Sequence, residues 1–235
     1  MNLEANLQLV RQEYLQRMTR GNGELLREVE GYVTGRNGKM LRPQMLLAAA
    51  ATLGEDCLKS RRTLLLAVCV EMLHNASLLH DDVIDHADSR RSRPSVNAQW
   101  NNGIAVLVGD YHLAQIMNLL DEVNDHNATR LINQTVMEMV ESELLAQEID
   151  GKWQSTTMTA ERYLRIIDGK TARLFATACA LGNPDYEEYG LHYGRLFQLR
   201  DDQTDGEDNE FTADLIRQEE AALNALNHRL DFNIN

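Results

Sequence analysis

The chain has 235 residues and only three prolines, Pro43, Pro94 and Pro184, so it can bury a sizeable core and little interrupts long helices. Its net charge of −13, from 23 basic against 36 acidic residues, makes it a poor partner for nucleic acid or an anionic membrane surface. Three cysteines without metal-ligand spacing, Cys57, Cys69 and Cys179, read as reduced thiols. Together with a polar, acidic start they predict a cytoplasmic protein without stable membrane insertion, and no apolar run reaches the length of a span.

Nearly every segment predicts helix. Leu3, Leu7, Val10, Tyr14 and Met18 fall at helical spacing over 3–18. Gly21 and Gly23 break that run, and a second helix covers 24–33, followed by a "GRNGK" loop. An Ala/Leu-rich helix over 41–53 ends at Gly54, and the longest helix runs from Arg61 to about Asp85. "ADSRRSRPSV" is a loop around Pro94. Helices follow over 104–120 and over 128–149, the latter ending at Gly151. One helix is predicted over 159–181, capped by Thr157 or Thr159 and stopped by Gly182. Pro184 starts the next, which runs to about Asp205; "GEDNE" breaks it, and a last amphipathic helix covers 211–230. With no alternating strand pattern, the expectation is an all-α, single-domain antiparallel helical bundle over 1–235.

One spacing recurs. "DDVID" at 81–85 and "DDQTD" at 201–205 each close a helix. Residues i and i+4 share a helical face, so Asp81 stands one turn before Asp85 and Asp201 one turn before Asp205, with Asp82 and Asp202 beside them. A solvated acidic helix end is the bland explanation of one copy; two copies on largely apolar helices favour a hard cation. Oxygen-only ligands suit Mg²⁺, which shares its shell between a carboxylate or two and substrate phosphates. Cations that could meet such a phosphate stand nearby in sequence: Lys39 and Arg42 in "GKMLRP", Arg90 and Arg91 after the first motif, and Lys170 beside the Thr171 hydroxyl in "DGKTA". Each alone would pass for a surface charge. The chain has four lysines in all, Lys39, Lys59, Lys152 and Lys170.

From about residue 36 to 205 the sequence resembles the trans-isoprenyl diphosphate synthases of the polyprenyl synthetase family. "GKMLRP", "EMLHNASLLH", "HDDVID" with "SRR", "NAQWNNGIAVLVGDY", "GKTA" and "FQLRDDQTD" match in order. The likeness is strongest to long-chain members such as octaprenyl diphosphate synthases. It implies that Asp81, Asp82, Asp85, Asp201, Asp202 and Asp205 bind Mg²⁺ on an allylic diphosphate, which Arg90, Lys170, Thr171 and Gln198 help to hold. Lys39, Arg42, His74 and Arg91 would hold isopentenyl diphosphate. The implied chemistry is ionisation, condensation and elimination, with farnesyl or geranylgeranyl diphosphate as starter. The growing product would run down the helix below Asp81, where Ala76 and Ser77 are small and leave room for a medium or long chain. The bland reading of small residues there is close helix packing.

Departures from the family pattern are as informative. Family chains continue past the second motif with a lysine-containing segment and further helices, whereas no lysine follows Lys170 here. That shortening predicts exposed apolar surface and so a homodimer or a partner subunit. It leaves open a weakly active or non-catalytic subunit of a heteromeric synthase. Arg200 precedes the second motif where the family has an apolar residue, and either supplies positive charge or pairs with Asp201 or Glu207. Ser142 stands where the family prefers glycine, its glutamine is displaced to Gln147, and Ser92 replaces the glycine after the arginine pair. A metal phosphohydrolase built on His80–Asp81 is the weaker alternative. His74, His80 and His86 are six apart, about 600° of helical turn per step, and do not share a face. A terpene cyclase would lack the second aspartate motif. His74 on its own would pass for a core histidine satisfied by a carbonyl.

Overall fold

The computed structural model describes residues 3–20, 23–35, 38–149, 158–206, 210–226 and 230. Gly21, Gly151, Lys152, Thr157, Glu207 and part of "GRNGK" lie outside them. The chain is all-α, and it forms two compact units, residues 1–44 with 58–125, and residues 45–57 with 126–235.

The first unit holds α1 (Leu3–Thr19), α2 (Glu24–Thr34), α5 (Arg61–Ile84), α6 (Val96–Gln99) and α7 (Asn102–Val123). Its axis is α5, whose residues from Leu65 to Leu73 are buried in an unbroken run, the pattern of a helix apolar on all sides and packed on all sides. Ser60 caps it, its Oγ accepting from the Thr63 amide at 3.1 Å. α7 lies along α5, and α1 packs against it as well. Val29, Val33, Leu79, Val96, Ala105 and Val108 close a cluster at the motif end of α5.

Two helices are, by length and composition alone, apolar enough to cross a membrane: α5 and α7, at mean hydropathy 1.3 and 1.2. This corrects the expectation from apolar runs: in both helices polar residues interrupt the apolar sequence without lowering its mean below that of a span. The α5 window is 67% buried within the protein, as suits a core helix. Glu30 of α2 and His112 of α7, which the sequence did not signal, are both fully buried, with Oε1 2.9 Å from Nε2.

The second unit takes most of α3 (Leu41–Thr52), which begins in the first unit, and the start of α4 (Glu55–Leu58). It adds α8 (His126–Ile149), α9 (Ala160–Ile167), α10 (Arg173–Gly182), α11 (Glu187–Asp205) and α12 (Thr212–Ala225). Three expectations are corrected here. The helix expected over 159–181 is interrupted by a π-helical turn, Asp168–Ala172. Its cap is Thr159, whose Oγ1 accepts from the Arg162 amide at 3.3 Å. The helix expected from Pro184 opens with a 3₁₀ turn, Pro184–Tyr186, before α11. The last helix ends at Ala225, with Leu226 extended. The short helices α4 and α6 were not expected.

A close approach accompanies the π turn. A Cβ on Gly169 would lie 2.4 Å from Ser142 Cβ and 2.6 Å from the Glu138 carbonyl on α8. Glycine on one side and serine on the other let the backbones meet, which gives Ser142 a packing reason for being small. Gln147 bonds within its own helix, to Glu143.

Candidate active site

The first motif ends α5 with its carboxylates in unequal settings. Asp82 is buried, and Arg90 Nε donates to its Oδ1 at 2.6 Å. Asp81 is half-buried and Asp85, the C-cap, is exposed. The chain is then tied back to α5. Asn97 Nδ2 donates to the carbonyls of Asp82 and Ala87, both at 3.1 Å, and Ser95 Oγ donates to the Ala87 carbonyl at 2.6 Å.

Within that tie-back a two-residue antiparallel pair forms, β1 (Ser89–Arg90) and β2 (Arg93–Pro94), where the sequence predicted only loop. Its turn residues, Arg91 and Ser92, both have left-handed backbone, at φ 53° and 60°. A type I′ hairpin turn needs positive φ at both central residues. The serine at 92 therefore sits in a conformation that glycine adopts without strain. The turn separates the two arginines: Arg90 goes to Asp82, whereas Arg91 reaches the loop at Gly38, where an added Cβ would meet its guanidinium at 2.9 Å.

His74 feels the charge of three arginines, Arg42, Arg91 and Arg90. Burial pushes the His74 pKa well below its usual value, and the positive charges of Arg42, Arg91 and Arg90 push it further the same way, so the imidazole is neutral near pH 7. Glu71 and Asn75, on the same helix as His74, line a cavity of about 70 Å³ with Arg11, Tyr14, Gly38 and Arg91 among others. Glu71 is buried there and its Oε2 has no hydrogen-bond partner among the described residues. Burial raises its pKa; Arg42, Arg91 and Arg11 oppose that rise. Arg11, Glu71 and Asn75 escaped the sequence analysis because nothing in helical periodicity distinguishes a polar residue aimed into a cavity. Lys39 is exposed. Ala76 is buried and Ser77 half-buried, with the Ser77 hydroxyl turned back onto the His74 carbonyl at 2.9 Å.

The second motif ends α11 in the other unit. Asp202 again differs from its neighbours. Gln198 Nε2 donates to its Oδ1 at 2.6 Å and the Tyr163 hydroxyl donates to its Oδ2. Thr171, in the π turn, donates to Gln198 Oε1 at 2.5 Å, which orients the Gln198 amide so that its nitrogen faces Asp202. Of the residues expected here, Thr171, Gln198 and Asp202 thus form one hydrogen-bonded chain, whereas Lys170 is exposed. Asp201 and Asp205 are exposed. Partial burial raises the Asp201 pKa, and repulsion from Asp205 and Asp202 adds to it. Unrelieved anionic charge of this kind is what a cation stabilises.

Around this chain Arg195 binds Asp168 through two nitrogens, at 2.5 and 2.7 Å, and reaches Glu219 of α12 at 3.4 Å. Arg200 pairs with Glu220 at 2.7 Å rather than with Asp201, because α12 brings that carboxylate alongside. Glu207, its other expected partner, lies outside the described residues.

Among the described residues no three His, Cys, Asp or Glu side chains converge as a ready metal cage. Each motif instead offers two carboxylates a turn apart and clamps the third. That donor set fits Mg²⁺, which needs only one or two protein carboxylates when phosphate and water complete its octahedron. The His–Asp alternative finds no such support: His80 turns to α7, 3.5 Å from Asp110, with the Gly109 backbone against its ring.

Two helices of an all-α chain thus each end in paired carboxylates, the first with Arg90 bound to its middle aspartate. The polyprenyl synthetase family model matches residues 23–214, and the chain belongs to that family. It is 40% identical over 187 residues to an all-trans-nonaprenyl-diphosphate synthase (geranyl-diphosphate specific) of Rhodobacter capsulatus, covering 76% of this chain and 56% of that one. It is 33% identical to heptaprenyl diphosphate synthase component 2 of Bacillus subtilis, covering 80% and 55%. A polyprenyl synthase from Caulobacter crescentus, solved with calcium and isoprenyl diphosphate, superposes with a TM-score of 0.77 at 31% identity, covering 85% of this chain and 62% of that one. The chain therefore spans little more than half the length of the curated relatives it matches.

Proposed function

We propose that the protein is a Mg²⁺-dependent trans-polyprenyl diphosphate synthase that condenses isopentenyl diphosphate with an allylic diphosphate, farnesyl or geranylgeranyl, to a medium or long all-trans product. The observation that carries this reading is the repeated motif: two helix ends, each with its middle aspartate clamped and its outer pair a turn apart. Asp81, Asp85, Asp201 and Asp205 would ligate Mg²⁺, with Asp82 and Asp202 as their fixed centres. Bound there, the metal ions stabilise the charge of the departing diphosphate. Arg90, Lys170, Thr171 and Gln198 would hold the allylic diphosphate. Lys39, Arg42, His74 and Arg91 would hold isopentenyl diphosphate, with His74 donating as a neutral imidazole. No side chain serves as a nucleophile. Ala76 and Ser77, buried or half-buried and small, support an open path for a long tail, and residues 1–235 act as one synthase domain in the cytoplasm.

The partner belongs to the same proposal. α7 packs along α5 yet bares Val106, Leu107 and Met117, 38%, 64% and 71% exposed. A second copy covering that face makes a homodimer, and Leu107→Glu with Met117→Glu should then halve the mass in solution. The likeness to a heptaprenyl synthase "component 2" favours a second reading, a subunit that needs a different chain. Product analysis separates them. The purified chain with Mg²⁺, labelled isopentenyl diphosphate and farnesyl diphosphate should yield a ladder ending at one long product. No product, with Mg²⁺-dependent farnesyl diphosphate binding intact, would establish the partner-dependent subunit. Loss of both refutes the diphosphate reading.

A further inference from the structure

The middle aspartates of the two motifs are clamped by different chemistry. Asp82 is held by a guanidinium, which offsets its charge. Asp202 is held by donors that are all neutral: the Gln198 amide on one oxygen and the Tyr163 phenol on the other. These two donors are anchored differently. Gln198 sits on α11 itself, one turn before Asp202, and depends on Thr171 for its orientation. Tyr163 comes from α9, and its ring is buried in a cluster with Ile167, Leu199 and Leu215. Its hydroxyl is thus carried by a ring from a separate helix, packed where α9 meets Leu199 of α11 and Leu215 of α12. A phenol can donate to a carboxylate without neutralising it. The motif keeps its full negative charge while Asp202 is denied the rotation that would let it turn outward beside Asp201 and Asp205.

We propose that Tyr163 is the positioning residue of the second aspartate motif: it pins Asp202 and so sets the geometry in which Asp201 and Asp205 receive Mg²⁺. This rests on the metal-diphosphate reading above. Residues that hydrogen-bond to metal ligands typically contribute 10–100-fold to metal affinity, and Tyr163, which fixes the carboxylate between two ligands, acts one step further out, at the low end of that range. A tyrosine whose hydroxyl merely satisfies a half-buried carboxylate would affect stability and leave the Mg²⁺ response in place.

The test is calorimetric titration of the full chain with farnesyl diphosphate, without isopentenyl diphosphate, across a series of Mg²⁺ concentrations. Wild type, Tyr163→Phe and Ile167→Val are compared. Tyr163→Phe removes one oxygen and keeps the ring in its cluster. Ile167→Val loosens the same cluster without touching Asp202. The expected result is a rise of about tenfold in the Mg²⁺ concentration giving half-maximal binding for Tyr163→Phe, with Ile167→Val at the wild-type value. An unchanged Mg²⁺ midpoint in Tyr163→Phe overturns the role of Tyr163, as does an equal shift in both variants, and the metal-diphosphate reading survives either. Wild type that binds farnesyl diphosphate without regard to Mg²⁺ overturns that reading, and the role of Tyr163 with it.

Discussion

Arg90 offers a direct test of how the first motif is built. The family resemblance gives this residue to the diphosphate, whereas the structure gives its Nε to Asp82 at 2.6 Å. The Asp82 side chain is 2% exposed and that of Arg90 30% exposed. Removing one partner of a buried pair costs about 3–5 kcal/mol, because the other is left buried and charged. Water reaches the arginine end here, so Arg90→Gln should cost about 2–3 kcal/mol, within that principle once discounted for exposure. For a chain of this size that is a fall of about 4–12 °C in Tm. Asp82→Asn keeps an acceptor for Arg90 and loses only the charge assistance, about 1 kcal/mol. Urea unfolding of both variants and of the double variant, without ligand or metal, completes the cycle. The double variant should recover at least about 1 kcal/mol relative to the sum, since amide can pair with amide. If Arg90→Gln unfolds at the wild-type midpoint, Asp82 does not depend on Arg90, and the arginine would serve ligand alone.

Three further outcomes follow from particular contacts. Ser92→Gly should raise Tm by about 1–3 °C: relief of a left-handed residue is worth about 1–2 kcal/mol, and the added freedom of glycine in the unfolded chain removes part of it. Gly169→Ala should destabilise by about 1–3 kcal/mol in thermal melts, because its Cβ would land on Ser142 and on the Glu138 carbonyl; adding Ser142→Gly should rescue only part, since the carbonyl remains. His74 supplies a pH signature. Its folded pKa lies below the unfolded value near 6.5, so the unfolded chain takes up the proton first as pH falls. Its contribution to stability is complete above 6.5 and is lost as pH drops from there toward the folded pKa. Urea midpoints between pH 8 and pH 5.5 should therefore fall more steeply for wild type than for His74→Gln, and parallel slopes would contradict a neutral His74 held among arginines.

The helices and the aspartate motifs were legible because each is written in local sequence. Apolar spacing reports which side of a helix is covered, and DDxxD reports two carboxylates a turn apart. What periodicity cannot report is a donor brought from elsewhere in the chain. Asp82 and Asp202 read as equivalents of their neighbours, yet Arg90, Tyr163 and Gln198 remove them from the outward set, so that each motif presents a pair rather than a trio. The π turn was hidden for the same reason: "IIDGKTARLF" reads as continuous helix, and what accompanies the extra residue is a backbone approach of Gly169 to Ser142 from another helix. Ser92 and Ser142 looked like two losses of a family glycine, and the structure separates them. At 92 the backbone is left-handed and serine is strained. At 142 the side chain lies against the glycine at 169, so one small residue is matched to another across the contact. A departure from a family pattern has a cost only where the backbone or the neighbour demanded the original residue, and by that criterion Ser92 is the substitution to reverse first.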